Sequence, residues 1–183
     1  HELFPFSYKE FLNLTSRKAS IESFDEYLKK GGFPEYLKYG KIDILQELFN
    51  DIIYRDIVAR HNLRSAQAIK EIALFLISNV GKEFSYNYLA KTFNLGSTNS
   101  ATTFVSYLED SYLLFTLPKF DYSLKKQAVN PKKAYSIDNG LSSVNSVSFS
   151  SDLGRMLENQ VFLDLKRDEK QVYYFKGKNE CDF

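Results

Sequence analysis

The stretch that most constrains this sequence runs from Ser85 to Ile137, where helical patterns, a glycine turn and β-prone runs follow one another with few residues to spare. Ser85 can cap a short helix whose inner face is Tyr86, Leu89, Ala90 and Phe93. Asn94-Leu95-Gly96-Ser97 reads as a tight turn with a glycine stop. Thr98 or Asn99 then opens a longer helix, with Ala101, Phe104, Val105, Leu108 and Tyr112 facing inward. The runs 113–117 and 134–137 are β-prone, and a basic loop from Lys119 to Lys133 joins them. Helix, turn, helix and a two-stranded wing is the layout of a winged helix-turn-helix.

The flanks follow different patterns. Ser23 precedes a short helix with an acidic first turn, Gly31-Gly32 stops it, and Pro34 suits the first turn of the next helix. From Ile42 to about Arg60, apolar residues at 42, 45, 48, 49, 52, 53 and 57 predict an amphipathic helix. A second helix is expected from about Ala66 to Asn79, with Ile69, Ile72, Ala73, Leu76 and Ile77 on one face. The Ser-rich run 142–151 reads as a linker. A helix from Leu153 to about Arg167 follows, with Leu153, Leu157, Val161 and Leu165 in register, then a strand at 171–176, a turn at 177–179 and a strand start at Glu180. The expected fold is mainly α: a helical region over 1–62, the winged helix-turn-helix with its small β-wing over 63–141, a linker at 142–152, and a partial α/β piece over 153–183.

Composition removes several classes. The net charge of +1 makes the molecule neither a polyanion binder nor an acidic tail, so any nucleic-acid affinity must come from local charge. One cysteine excludes an internal disulfide and suits a reducing, cytoplasmic setting. No apolar run approaches the roughly 20 residues that span a bilayer, so no membrane association is expected. His1 at the start and a strand pattern still running at Phe183 predict a piece of a longer protein.

Candidate chemistry is sparse. No Gly-rich phosphate loop occurs, so this piece cannot cradle a triphosphate in the usual backbone nest. Two histidines and one cysteine do not assemble a typical zinc site, and no metal site is expected. His61, the one histidine available to a Ser/His/Asp triad, reads as a solvated helix-end residue beside Arg60. On the second helix of the winged unit, Asn99, Thr102, Thr103 and Ser106 are the exposed positions that could read base edges. That helix carries no Lys or Arg, whereas the wing holds Lys119, Lys125, Lys126, Lys132 and Lys133 against one Asp. Phosphate contact would therefore rest on the wing. The alternative, a winged helix used for protein docking or self-association, stays open. In the C-terminal piece, Glu158 on a helix and Glu180 and Asp182 around a strand start could converge on Mg²⁺. The second carboxylate and the Lys of a following strand, which a metal nuclease also needs, do not occur. Equally, Glu158 reads as a solvated helix residue and Asp182 as a strand-edge charge.

Six strings resemble the C-terminal region of a large group of poorly characterised prokaryotic AAA-type ATPases with a GGFP motif: ELFPFSYKEFL (2–12), YLKKGGFPEYL (27–37), IIYRDIVAR (52–60), KAYSIDNGL (133–141), GRMLENQVFLDLKR (154–167) and YYFKGKNECDF (173–183). The resemblance implies a P-loop ATPase domain preceding this stretch, with ATP and Mg²⁺ serving the intact protein and no cofactor held here. It implies a lid-like role for residues 1–62, with Gly32 and Pro34 beside the nucleotide. It also implies that the tail is the opening of a restriction-endonuclease-like fold, with Glu158 as its helix acid, Asp182 as its hairpin acid and Glu180 beside them. Taken with the winged-helix layout and the wing lysines above, the expected function is a regulatory or effector region, not catalytic in itself, that binds double-stranded DNA through its winged helix. A protein-interaction module and a degenerate metal-dependent nuclease are the alternatives.

Overall fold

The computed structural model describes residues 3–63, 65–146 and 152–183. Residues 147–151 of the expected linker lie outside the described residues. The chain is mainly helical, with small antiparallel sheets. In order it forms α1 (Tyr8–Thr15), α2 (Ile21–Lys30), α3 (Pro34–Tyr39), α4 (Ile42–Asp51), α5 (Ala66–Ser78), β1 (Glu83–Phe84), α6 (Tyr86–Thr92) and α7 (Thr98–Asp110). Then come β2 (Leu114–Pro118), α8 (Leu124–Val129), β3 (Lys132–Ser136), α9 (Asn139–Asn145), α10 (Leu153–Arg167), β4 (Phe175–Lys176) and β5 (Glu180–Cys181). Among the described residues no helix is long and apolar enough to cross a membrane.

Serine and aspartate caps set most helix starts. Ser7 and Glu10 form a reciprocal capping box at α1, while Ser85, Ser97, Asp138 and Asp152 each accept a backbone N–H at α6, α7, α9 and α10. Pro34 occupies the first turn of α3, as expected from its fixed φ. The predicted helix of residues 42–60 is α4 followed by a π-helical segment, Ile52–Ala59. Leu45, Phe49, Ile53 and Ile57 recur strictly every four residues and are all buried. In a 3.6-residue turn that spacing drifts by about 40° per step, and the wider π turn brings the side chains back toward one face.

Within residues 66–136 the order is α5-β1-α6-α7-β2-α8-β3, and the strands form a three-stranded antiparallel sheet ordered β1-β3-β2. The register pairs Leu114 with Ser136 and Pro118 with Lys132, and on the other edge Phe84 with Lys132. Glu109 near the end of α7 accepts from the Thr116 N–H (2.9 Å) and hydroxyl (2.8 Å), so β2 folds back along the helix it follows. One hydrophobic cluster runs from Leu45 and Phe49 through Ile72, Leu76, Leu89, Val105 and Leu108 to Tyr135, Phe162 and Tyr174. The C-terminal piece thus shares its core with the rest of the chain.

Several elements depart from the sequence reading, the first being α2, which starts at Ile21 under a Ser20 cap and so includes Ser23. The basic loop contains α8, whose start Ser123 caps. The expected linker begins with α9, which is buried through Ser142, because Asp138 caps it and Leu141 is fully enclosed. In α10 the buried face is Met156, Asn159, Gln160, Phe162 and Leu163, whereas Leu153, Leu157 and Val161 are about two-fifths exposed. Apolar periodicity pointed to the wrong face because the buried one carries two amides. Asn159 accepts from the Ser136 N–H (2.9 Å) and donates to the Ser136 carbonyl (3.1 Å) and to Asn139 Oδ1 (3.0 Å). With both its donor and its acceptor satisfied, an amide can be buried at little cost.

Candidate functional site

The three candidate carboxylates do converge, and they converge on a lysine. Lys133 lies in the middle of the sheet, with its side chain 3% exposed. Its ammonium stands 2.6 Å from Asp182, 3.1 Å from Glu180 and 3.6 Å from Glu158. The Tyr135 hydroxyl, two residues along the same strand face, donates to Glu158 at 2.7 Å. The Tyr174 ring lies under the ammonium, 5.4 Å from centroid to Nζ. Burial works against the charged lysine, yet its hydrogen bonds to Asp182 and Glu180, with the charge of Glu158, outweigh that and raise its pKa. Hydrogen bonding to Lys133 and its charge lower Glu180. Burial, and then the Glu158 carboxylate, push the Tyr135 phenol well above its ordinary range.

Two consequences follow for the sequence reading. Lys133 was expected on the phosphate-contacting wing, but its ammonium is enclosed and shared among three carboxylates, so it cannot reach a phosphate in this arrangement. The Mg²⁺ expectation for Glu158, Glu180 and Asp182 meets a donor set already committed to a cation. Among the described residues no group of three or more His, Cys, Asp or Glu side chains is arranged to hold a metal ion. These residues do not fit the ion, and no chemistry is routed through it.

The GGFP joint is built for close backbone approach. Gly31 has φ +72°, and a Cβ there would collide with the Asp138 carboxylate. A Cβ on Gly32 would collide with the Phe6 backbone. The Gly32 carbonyl accepts from the Phe6 N–H (2.8 Å), and its own N–H donates to Asp138 Oδ2 (2.6 Å). Asp138 Oδ1 accepts from Leu141 (2.8 Å), so one carboxylate ties the joint to the start of α9. Burial drives the Asp138 pKa up to about 6, against the backbone N–H groups of Gly32, Leu141 and Gly140 that favour the anion. Both polar backbone groups of Gly32 are therefore committed. Pro34 is exposed and borders two open cavities, of about 480 and 290 Å³. Sequence reading did not single out Asp138; a buried acid just before a helix start has the signature of an ordinary N-cap.

On α7, Asn99, Thr102 and Thr103 are exposed, and Ser106 is half-buried. Thr102 and Ser106 donate back to the helix carbonyls of Thr98 (3.2 Å) and Thr103 (2.9 Å), which leaves their oxygens as acceptors. An open cleft of about 540 Å³ lies at the preceding turn, lined by Asn87, Lys91, Asn94 and Ser97 among others. Lys91 and Asn94 lie outside the second helix and the wing, from which the sequence candidates come. In the wing, Lys125 and Lys126 are exposed, and Lys119 and Lys132 are half-buried. Beside them Tyr122, Leu124 and Val129 are 97%, 80% and 75% exposed, apolar groups that the charge count of the loop concealed.

The whole chain aligns with an uncharacterised protein of Methanocaldococcus jannaschii at 36% identity, covering 46% of that protein. It aligns likewise with an uncharacterised protein of Haemophilus influenzae at 28% identity, covering 48% of it. The chain thus spans about half the length of the curated relatives it matches. No solved structure matches it. A family model described as a domain of unknown function matches residues 21–150, most of the sequence, and on that match the chain belongs to the DUF8612 family.

Proposed function

We propose that this chain is the regulatory region of a longer AAA-type ATP-binding protein and that it meets duplex DNA through a winged helix formed by α5 to β3. The observation that carries the reading is the order helix-strand-helix-helix-strand-strand, with the short α8 in the loop between the last two strands, combined with the sheet order β1-β3-β2. That topology leaves the outer face of α7 to solvent, with Asn99, Thr102 and Thr103 on it. Amides and hydroxyls can read base edges in a major groove, while Lys125 and Lys126 supply phosphate contacts from the wing. In the intact protein, the remaining half of the relatives' length would hold the ATPase, with Pro34 on the nucleotide side. The Lys133 cluster then has a structural part, holding the C-terminal hairpin on the sheet, in place of nuclease catalysis.

The test is a salt titration of a fluorescent duplex. Non-specific binding through the wing predicts dissociation constants on the order of 10⁻⁴–10⁻⁶ M that weaken steeply with salt. Lys125→Glu with Lys126→Glu should lower the log–log salt slope by about two. No binding at low salt would refute the DNA reading. A second reading, docking to a protein, is favoured by the exposed Tyr122, Leu124 and Val129, because apolar side chains grouped on a surface mark interaction sites.

A further inference from the structure

The larger cavity beside Pro34 has a distinct chemistry. It is an open groove of about 480 Å³ between α3 and α4, lined by Phe33, Pro34, Ile44, Leu45, Leu48 and the carboxylates of Glu35, Glu47 and Asp51. Leu45 is buried and Phe33, Ile44 and Leu48 are half-buried, the three acids are exposed, and no cation is among its lining residues. Asp51 is paired with Arg55 at 3.1 Å, but both partners are more than half exposed, which leaves the pair weak. Asp43, one turn before Glu47 on α4, adds a further exposed acid. A groove of this kind selects an occupant that is apolar at its tip and basic at its edges.

The chain carries such an element. The wing tip presents Tyr122, Leu124 and Val129 to solvent with Lys125 and Lys126 between them, and residues 122–133 include no acid. Because Tyr122 is 97% exposed, the wing tip does not fill the groove of its own chain. We propose that the groove between α3 and α4 docks the wing tip of a second copy of this chain. The match is of charge sign and of apolar character together: Lys125 and Lys126 meet Glu47 and Asp51, while Leu124 and Tyr122 cover Phe33, Pro34 and Leu48. Exchanged reciprocally, wing in groove and groove on wing, the contact closes a two-fold dimer; made once per pair, it is head-to-tail and builds a ring or an open array. This goes beyond the DNA reading, which gives the groove no DNA contact and uses only Pro34 at its edge, on the nucleotide side.

The experiment is sedimentation velocity on the 21.2 kDa chain, from about 5 to 200 µM, at low salt and at roughly 0.5 M salt, where exposed charge pairs are screened. Association that grows with concentration and recedes with salt is expected. Glu47→Lys with Asp51→Lys, and separately Lys125→Glu with Lys126→Glu, should each leave a monomer. All four positions are exposed on helices, so the fold is retained, and circular dichroism verifies it. Mixed together, the two charge-reversed proteins should associate with each other, because an acidic wing then meets a basic groove. Leu124→Ser should raise the dissociation constant about tenfold. A wild-type chain that stays monomeric at 200 µM in low salt overturns the proposal, as does a mixed pair that fails to associate. The groove variant also separates the two readings, since it should keep wild-type DNA affinity. Loss of DNA binding with self-association intact would sink the DNA reading alone.

Discussion

Replacing Lys133 by methionine tests whether the lysine-centred cluster holds the C-terminal hairpin. The methionine stem keeps the contact with Tyr174 and removes the charge from among three carboxylates. Breaking a fully buried ion pair by removing one partner costs about 3–5 kcal/mol, and an exposed pair under about 1 kcal/mol. Here the lysine side chain is 3% exposed, but Glu180 and Asp182 are 42% and 51% exposed and can take up water once it is gone. Glu158, 21% exposed, keeps the Tyr135 hydroxyl as a donor. The loss should therefore fall near 2–3 kcal/mol, below the fully buried case. At about 2–4 °C per kcal/mol for a chain of this size, Tm should drop by roughly 4–12 °C in thermal unfolding followed by circular dichroism at pH 7. Asp182→Asn, at the wetter end of the cluster, should cost under about 1 kcal/mol. Acid gives a further check on sign. The Glu180 pKa is lowered in the fold, so its contribution is present above about pH 4.5 and lost as pH falls through the lowered value. Lys133→Met should flatten that acid arm. A Tm within about 1 °C of wild type would refute the reasoning, since the ion pairs would then be worth no more than an apolar side chain.

Gly32→Ala should destabilise the chain by more than about 3 kcal/mol, read as a fall in the urea midpoint or in soluble yield, because the added Cβ meets backbone and not a movable side chain. Gly154→Ala, where a Cβ finds only ordinary contact, should stabilise α10 by roughly 0.5–1 kcal/mol in the same assay. For Asp138 the folded pKa of about 6 is raised, so the carboxyl favours the fold at low pH and that contribution is lost as pH rises through 6. Between about pH 4 and 6 the urea midpoint should carry this slope, and Asp138→Asn should remove it; a variant that keeps the full slope would assign the titration elsewhere.

Much of the local structure was legible because its causes are local. Ser85 and Pro34 mark helix starts by their own side-chain chemistry, and Ile69, Ile72, Ala73, Leu76 and Ile77 fix the inner face of α5 by spacing alone. The face of α10 was not legible, since Asn159 is buried only because the Ser136 backbone and Asn139, 23 and 20 residues away in sequence, meet its amide. Helix α9 was hidden for a similar reason. A serine-rich string has no apolar period, and what orders it is the Asp138 cap with burial of Leu141 in the common core.

The candidate site divides in the same way. Residue type alone marked Glu158, Glu180 and Asp182 as carboxylates worth watching, and Lys119 to Lys133 as the basic segment. Tertiary structure decided what they do, by turning the sheet so that Lys133 points among the acids while Lys125 and Lys126 stay in water. Caps, turns and helical faces follow from interactions within a few residues, which a sequence states directly. The neighbour of a charge, and whether it is solvated or neutralised, depends on contacts as distant as the 49 residues between Lys133 and Asp182, which only the packed chain brings together.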